Sequence, residues 1–546
     1  MSITNLPLEI LSHLCEYLEP QEWGALRITC HQIHRKTLEA YSTRYFRSLS
    51  LLLTHEGLSR LEEVAESEAL RGSVQEIWII PNLFEGWPQK DKTSFKRPSL
   101  THWKMRGLFR REPEESNDSQ AEYEAQLDAL FAVYEATIAE HRAILDSGLF
   151  EALEKCLPRL ENAINIGLQC YPIDTLLREA HYGSFRCLGL RELKSQLNTP
   201  GMLSNLTPPQ QFQHHMLSIP LRLAFSHLLN GIIKSSRKVQ ALHTCGNDAY
   251  PLPIRDNYVC GMTLGSLQLP ESQYQLLLPL LCELTTLHMC IRIKDNKHDI
   301  FHEDTLKRLL NILITVAPKL KFLVFAQWIP MEELSPLYFQ DLSQRIQFYQ
   351  LGELHLHSIE VTVDALKHFL RTAAPTLKRL SLKKVNLVDA ITTDPGPLTA
   401  DRGTWGSSFS TEVVNEIREL WKQNFEFWAD HLKLQFLQLS NLGYRGREIM
   451  LQDNLYTERG QLDAQPSTDP EESFMITTMS QGRPAEADDN PMDMAYVLVD
   501  FYFDAERASI PFKGWIMQLQ IKMYPQGFGI TPIPWLRGMR RFKQYG

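Results

Sequence analysis

Histidines and cysteines are the residues in this chain best suited to metal or acid–base chemistry, and few of them lie close together. The close histidine groups are His31/His34, His214-His215 and His355/His357. A zinc site needs three or four ligands, and the sequence places no further ligands beside these groups. His355 and His357 alternate with leucines on a predicted strand, so we expect them to face one side of a sheet. Cys282, His288 and Cys290 have no ligand spacing and are expected to be core residues around a strand.

Nucleotide-binding and hydrolytic motifs are missing from the sequence. It has no Gly-x-x-x-x-Gly-Lys-Ser/Thr loop, no Rossmann glycine fingerprint, no Gly-x-Ser-x-Gly elbow, no His-Glu-x-x-His pair and no kinase signature. We therefore expect a non-enzymatic protein without cofactor or metal. An active site assembled from residues distant in sequence is an alternative, which a pocket with converging titratable groups would favour.

Composition and charge narrow the class of protein further. A chain of 546 residues is too long for one ordinary core. Its net charge of -9 has the wrong sign for a general nucleic-acid binder. The sequence contains no run of about eighteen apolar residues, so no membrane span is predicted. The N-terminus does not resemble a signal peptide. The nine cysteines contain no C-x-x-C pair, which favours reduced thiols in the cytoplasm or nucleus.

Three short helices are predicted in the first forty-odd residues. Asn5 is a candidate helix cap, and Pro7 is tolerated in the first turn. Apolar residues at 10, 11, 14, 15 and 18 have helical spacing, and Glu19-Pro20 ends that pattern. A second helix is expected through Trp23 and Leu26, and a third through Ile33 and Leu38. So small a unit cannot hide all its apolar side chains, so the surplus must face a second domain or a partner protein.

The same residues carry a family resemblance. The pattern Leu6-Pro7-x-Glu9-Ile10-Leu11-x-x-Leu14-x-x-x-Leu18, followed by Trp23, Leu26-Arg27-Ile28-Thr29-Cys30 and Ile33, resembles the F-box motif. The resemblance implies three helices that bind the Skp adaptor of a cullin-RING ubiquitin ligase. It implies that Leu6, Pro7, Ile10, Leu11, Leu14 and Leu18 supply the main apolar contact, that Trp23 and Leu26 extend it, and that Glu9 is a polar contact at its rim. Trp23 departs from the family pattern, where a smaller aliphatic residue is usual.

Two interpretations of this segment remain open. The helices could be an ordinary cap on the domain that follows, and several leucines must pack internally in either case. Within the F-box interpretation, Pro7, Ile10 and Leu11 are the preferred contacts with the adaptor.

A repeat of the form Leu-x-x-Leu-x-Leu, with conservative replacements, recurs along the chain. Its occurrences begin at Val74, Leu284, Leu320, Leu351, Leu377 and Leu434. Helices predicted over Thr305–Ala317 and Val363–Ala374 lead into the similar sequences Ala-Pro-Lys-Leu-Lys-Phe-Leu and Ala-Pro-Thr-Leu-Lys-Arg-Leu. Proline ends each helix, and alternating leucines then point from a strand into a core. The long interval from Leu377 to Leu434 is expected to hold a missed or expanded repeat.

The first repeat is predicted as strand Phe46–Leu53, helix Leu58–Ala65 and strand Val74–Ile80. The layout resembles fungal F-box proteins with degenerate leucine-rich repeats, although other leucine-rich helical proteins can imitate the pattern. The predicted fold class is α/β: a three-helix F-box and an irregular leucine-rich-repeat-like solenoid, with a partly disordered acidic segment and a C-terminal β extension.

The predicted domain boundaries follow composition. Residues 1–44 form the F-box and 45–450 the repeat domain, with loop insertions near 85–120 and 392–410. Residues 452–495 form an acidic loop or disordered segment, and 496–546 form a β hairpin, or two added strands, with a basic tail. The basic residues between 90 and 111 are expected to lie in a solvated loop, and nucleic-acid binding there is the less favoured alternative.

The expected function is that of a substrate-recognition adaptor. The F-box would bind a Skp-family adaptor and, through it, cullin and RING subunits, while the repeats would bind a protein substrate. A ligase-independent interaction scaffold is the alternative.

Overall fold

The structure is a computed structural model, which describes residues 3–18, 20–81, 117–169, 187–196, 218–244, 262–292, 303–327, 336–388, 411–440, 442–444, 447–448, 450–453, 500–505, 511–517 and 519–522. In this part of the chain helices and strands alternate, and most paired strands are parallel. The fold class is therefore mixed α/β with parallel sheet, as predicted. The chain divides into two compact units, unit 1 (residues 1–284 and 288–309) and unit 2 (residues 285–287 and 310–546).

The α-helices are α1 (Leu8–Glu16), α2 (Pro20–Ile28), α3 (His31–Phe46), α4 (His55–Glu66), α5 (Glu68–Arg71), α6 (Asn117–Ala143), α7 (Leu149–Cys156), α8 (Leu190–Gln196), α9 (Ser218–Ser235), α10 (Glu271–Leu281), α11 (Glu303–Val316), α12 (Pro336–Arg345), α13 (Val363–Ala373), α14 (Thr411–His431) and α15 (Phe512–Ile516). A π-helical turn covers Ile144–Gly148, and 3₁₀ turns cover Ile3–Asn5, Leu264–Leu267 and Ala317–Lys319.

The strands are β1 (Ser48–Leu52), β2 (Glu76–Ile80), β3 (Asn165–Leu168), β4 (Cys187–Leu188), β5 (Ala241–His243), β6 (Met262–Thr263), β7 (Thr286–Arg292), β8 (Phe322–Gln327), β9 (Glu353–His357), β10 (Glu360–Thr362), β11 (Arg379–Lys383), β12 (Asn386–Val388), β13 (Phe436–Ser440), β14 (Gly443–Tyr444), β15 (Arg447–Glu448), β16 (Met450–Asp453), β17 (Asp500–Asp504) and β18 (Leu519–Lys522).

The three N-terminal helices lie where the apolar spacing predicts them. Helix α1 ends at Glu16, and Pro20 is the first residue of α2, where its missing N–H removes no helical bond. The expectation that Asn5 caps the first helix is wrong. Asn5 belongs to the 3₁₀ turn, and Pro7 is the residue immediately before α1. The helix begins late because a proline disfavours helical backbone at the residue before it, here Leu6.

In unit 1, strands β4, β1, β2, β3 and β5 pair side by side in parallel. Register aligns apolar side chains into rows, such as Leu49 with Ile77 and Ile77 with Ile166, and all three are fully buried. The predicted strand–helix–strand over residues 46–80 is confirmed as β1, α4 and β2. The first strand starts at Ser48 and not at Phe46, because Phe46 completes α3.

In unit 2, strands β8, β9, β11 and β13 are parallel neighbours, and β17 joins β13 antiparallel. Residues Leu323, Leu354, Leu380 and Leu437, which are equivalent in the predicted repeat, are register partners along this row and are buried. The helices predicted before β8 and β11 are confirmed as α11 and α13, each within about two residues of its expected ends.

One backbone contact recurs at the start of these strands. The carbonyl that precedes a strand accepts hydrogen bonds from two successive N–H groups at the start of the next strand. The acceptor is Arg47 for Gln75 and Glu76, Lys321 for Gly352 and Glu353, Gly352 for Lys378 and Arg379, and Lys378 for Gln435 and Phe436. The leucine spacing therefore marks equivalent backbone units within each of the two compact units.

The long interval between Leu377 and Leu434 adds no strand to the parallel row of unit 2. Strands β11 and β13 pair directly, with Arg379 opposite Phe436, so no other strand lies between them. The described part of this interval contains β12 and the long helix α14. Trp421, Phe425 and Trp428 of α14 pack against one another and are buried.

The C-terminal strands are two separate additions, and the alternative of a hairpin is wrong for the described residues. Strand β17 pairs with β13, and β18 pairs antiparallel with β16. Alternation of apolar and polar residues indicates strands but does not select partners. Phe503 of β17 is buried against Phe512 and Trp515, at ring distances of 5.2 and 5.4 Å. Gln452 and Asp453, expected at the start of the acidic segment, belong to β16.

Several predicted segments lie outside the described residues. These are most of the loops at 85–120 and 392–410, most of the acidic segment, and the basic tail beyond residue 522. Helix α6 continues into the π-helical turn.

Candidate protein-binding surface

Exposed apolar side chains concentrate in the first 28 residues. Among the residues that the structure describes, the large apolar side chains with high exposure are Ile3, Leu8, Ile10, Leu14, Tyr17, Ile28, Leu276, Tyr349 and Met517. Six of these nine lie between residues 3 and 28, on or beside α1 and α2. Contiguous exposed apolar surface of this kind is typical of protein-interaction sites, whereas isolated residues such as Leu276 need no such explanation.

Helix α1 has two apolar faces with different environments. Leu11 and Cys15, four residues apart, are fully buried. Ile10, Leu14 and Tyr17 follow the i, i+4, i+7 spacing of a neighbouring face, and their exposed fractions are 50%, 44% and 75%. One face therefore attaches α1 to the rest of unit 1, and the other presents an apolar stripe to solvent. We call Ile10, Leu14 and Tyr17 the α1 stripe.

Helix α3 holds both ends of α1 in place. Lys36 donates from Nζ to the carbonyls of Thr4 and Leu6, at 2.9 Å each, before the helix begins. Arg44 donates from Nη1 to the carbonyl of Glu16 at 3.0 Å and to that of Cys15 at 3.4 Å, where the helix ends. A cation at a helix C-terminus meets carbonyls that lack partners within the helix, so these contacts set the position of the α1 stripe.

An aromatic cluster fills the space between α2 and α3. The ring of Trp23 lies 5.7 Å from that of Tyr41 and 5.4 Å from that of Tyr45. The guanidinium of Arg27 lies 3.7 Å above the Tyr41 ring, and that of Arg44 lies 5.6 Å from the Trp23 ring. This packing gives the large Trp23 side chain an internal role.

Helix α3 continues into the sheet almost without a linker. It ends at Phe46 and β1 begins at Ser48. Ser73 Oγ donates to Ser42 Oγ of α3 at 2.9 Å, and the Arg47 carbonyl accepts from both Gln75 and Glu76. The helices that carry the α1 stripe are thus anchored to the first strands of unit 1.

The residues predicted for the interface occupy three environments. Pro7, Glu9, Ile10 and Leu14 are exposed; Leu6, Leu18 and Leu26 are partly exposed; Leu11 and Trp23 are buried. Leu11 and Trp23 are enclosed by this chain, so a partner contact depends on the other seven. Sequence reasoning did not select Ile3, Leu8, Tyr17 or Ile28. Helical spacing from Ile10 and Leu14 leads directly to Tyr17 and could have identified it.

The histidines do not form a metal centre in the part of the chain that the structure describes, where no group of three or more potential ligands converges. His355 and His357 face the same side of β9, as predicted, since their partly exposed positions alternate with buried leucines. His355 Nε2 donates to Glu353 Oε1 at 2.8 Å, and this bond, with the charges of His355 and Arg379, holds the pKa of Glu353 below its usual value. His288 and Cys290 are buried in β7, as expected for core residues.

A search of the described residues reveals no helix with the length and apolar character needed to span a bilayer. Comparison with protein-family models finds no match, and comparison with curated proteins finds no significant match.

Proposed function

We propose that the chain is a non-enzymatic substrate-recognition adaptor of the Skp–cullin–F-box class of ubiquitin ligase. In this proposal the first three helices bind a Skp-family adaptor, and the parallel-strand units form a degenerate leucine-rich-repeat-like domain for a protein substrate. The observation that carries the proposal is the concentration of exposed apolar side chains on the helices whose sequence resembles the F-box motif.

The division of α1 into two faces supports this interpretation over that of a simple helical cap. A cap would bury its apolar side chains against the domain that it covers. Here Leu11 and Cys15 provide that attachment, while Ile10, Leu14 and Tyr17 stay accessible. Covering half-exposed side chains of this size stabilises a complex by about 1 kcal/mol each.

The attachment of the helices to the sheet supports a tethering role. A substrate receptor raises the local concentration of its client near the enzyme that modifies it. Because α3 runs directly into β1, unit 1 follows the adaptor-binding helices without a flexible linker. The repeated backbone contact at the strand starts supports the leucine-rich-repeat-like interpretation of both units.

The test is co-purification of the full-length chain with a Skp-family adaptor. Ile10→Asp with Leu14→Asp places two charges in the proposed interface, and we expect adaptor binding to weaken at least about a hundredfold, because each carboxylate would be desolvated without a partner. Leu11 is left intact since it is buried and its replacement would disturb folding. Leu276→Asp with Tyr349→Asp is the matched control, because these side chains are at least as exposed but lie outside the three N-terminal helices.

The control variant is expected to bind the adaptor like the unmodified chain. Adaptor binding that survives Ile10→Asp with Leu14→Asp, in a chain with unchanged circular dichroism, would rule out the F-box role. It would favour the ligase-independent scaffold instead.

A further inference from the structure

The parallel strands of unit 2 have a second face, opposite their buried leucines, on which Arg379 is exposed and Glu353, His355, His357, Lys383 and Gln438 are partly exposed. Val324, Ala326, Ser381 and Ser440 on the same face are buried. Register places Phe322, Glu353, Arg379 and Phe436 in a first row, Val324, His355, Ser381 and Gln438 in a second, and Ala326, His357, Lys383 and Ser440 in a third. These alternate with the leucines, which are buried on the other side. We call these three rows the unit 2 strand face.

The strand face and its edges are basic in a chain that is acidic as a whole. The segments 320–327, 351–358, 377–385 and 432–440, which contain the four parallel strands and their ends, hold six lysines and arginines and one acidic residue. The cations are Lys321, Lys378, Arg379, Lys383, Lys384 and Lys433, and the acid is Glu353. The net charge of the full chain is -9, so these segments oppose the general trend.

Unit 1 provides an internal comparison. Its strands β1, β2, β3 and β5 have the same parallel arrangement, and the corresponding segments 46–53, 74–81, 163–169 and 239–244 hold one cation, Arg47, and one acid, Glu76. The positive charge is therefore not a requirement of the strand arrangement itself. Strand β17 places Asp504 and Asp500 in register with the ends of the first and third rows, so the basic region does not extend to β17.

Contacts within the first row combine charge with aromatic surface. The Arg379 guanidinium lies 4.6 Å from the centre of the Phe436 ring, and its Nε lies 3.5 Å from Glu353 Oε1. The Phe322 ring lies 5.4 Å from that of His355. Glu353 is shared by His355 and Arg379, so a single carboxylate offsets both neighbours. Phe322 and Phe436 are partly exposed beside these groups.

We propose that the unit 2 strand face binds a carboxylate-rich peptide segment of a protein client. Arg379 and Lys383 lie on β11, and the other four cations lie just before or just after the strands, so the positive charge is spread along these segments. Arg379 and Lys383 lie four residues apart on β11, about 13 Å at the usual strand rise. A single phosphate is best bound by cations that converge on it, whereas several carboxylates along a peptide match separated cations. The partly exposed phenylalanines would contact apolar side chains of the same peptide.

This inference rests on the proposed function only in naming the peptide as part of a client. Its test uses the full-length chain and a fluorescein-labelled peptide of repeated Glu-Leu-Glu-Ser units, with fluorescence anisotropy as the measurement. A peptide with Gln in place of Glu is the charge control, and the Gln peptide with one phosphoserine represents the phosphate alternative. The assay contains no adaptor, so its failure is distinguishable from failure of the adaptor-binding test.

The variant Arg379→Gln with Lys383→Gln removes two cations from the face. We expect it to bind the Glu peptide roughly tenfold more weakly, and we expect binding by the unmodified chain to weaken with added salt. Arg345→Gln with Lys422→Gln is the matched control, because it removes two exposed cations from α12 and α14, and it should bind normally. Lys378→Gln with Lys433→Gln, at exposed positions before the strands, provides the same test if the first variant unfolds.

Three results would overturn the inference. They are equal affinity for the Glu and Gln peptides, equal loss in the strand-face and helix variants, and binding of the phosphoserine peptide alone.

Discussion

The N-terminal helices and the leucine strands are both rich in apolar residues, but they bury them to different extents. Leu323, Leu354, Leu380 and Leu437 are at most 1% exposed, whereas Ile10 on α1 is 50% exposed. Each strand leucine has register partners on adjacent strands. The three N-terminal helices bury Leu11 and Cys15 of α1 but leave the neighbouring face of the helix accessible. Apolar residues thus stabilise the fold in one region and remain available for binding in the other.

Among the tests of this contrast, replacement of a strand leucine is expected to change the free energy of unfolding most. Leu354→Ala or Leu380→Ala should lower the free energy of unfolding by about 3 kcal/mol, through lost burial and the cavity that remains. Ile10→Ala should change it by less than about 0.5 kcal/mol. Urea unfolding followed by circular dichroism measures both. Comparable destabilisation by Ile10→Ala would mean that the α1 stripe is part of the core.

The pH dependence of stability provides a second test of burial, because two histidines are buried in the fold. Burial lowers the pKa of His141 to about 4 and that of His243, which lies near His288, to about 3. Both stay neutral in the folded chain, while in the unfolded chain they gain a proton below about pH 6.5. Their contribution to stability is therefore complete above that pH and decreases on acidification. Each of these two histidines should lower the free energy of unfolding by about 1.4 kcal/mol at pH 5.5 relative to pH 7.5.

Urea unfolding at the two pH values measures this effect. His141→Gln and His243→Gln should each remove one histidine's share of the pH dependence, whatever they do to stability at pH 7.5. His31→Gln, at an exposed position, controls for the substitution itself. An identical pH dependence in all three variants would contradict the proposed cause.

Arg44 provides the smallest test and concerns the position of the α1 stripe. Arg44→Met retains an aliphatic side chain near Trp23 but removes the hydrogen bonds to the carbonyls of Cys15 and Glu16. We expect adaptor affinity to decrease about fivefold, equivalent to about 1 kcal/mol. Hydrogen exchange at the end of α1 should become faster, and Arg44→Lys should restore part of the affinity. Unchanged exchange and affinity would show that Arg44 does not position the helix.

The spacing of apolar residues predicted the helices and strands better than it predicted which of their side chains are buried. The leucine spacing located β8, β9, β11 and β13, and helical spacing located α1, α2 and α3, because these patterns reflect the geometry of one element. The burial of Leu11 and Trp23 was not predictable in the same way. Helical spacing identifies an apolar face but does not say whether the same chain covers it. The aromatic neighbours of Trp23 lie on another helix, at Tyr41 and Tyr45.

The C-terminal strands show the same limit. Alternation predicted strands near residues 500 and 520, but it could not choose between a hairpin and two separate additions. Strand β17 pairs with β13 because Phe503 continues the apolar row of Leu437 and packs on Phe512 and Trp515. That choice depends on residues that are distant in sequence.

The amino-acid sequence by itself determined where the N-terminal helices and repeated strands form, because their periodicity and their prolines act over a few neighbouring residues. It also determined the basic character of the segments that contain the unit 2 parallel strands, which is a matter of composition. Tertiary structure decided which face of α1 is buried, which strands the C-terminal segments join, and which histidines stay neutral. These depend on burial, and burial arises only when segments far apart in the chain pack together.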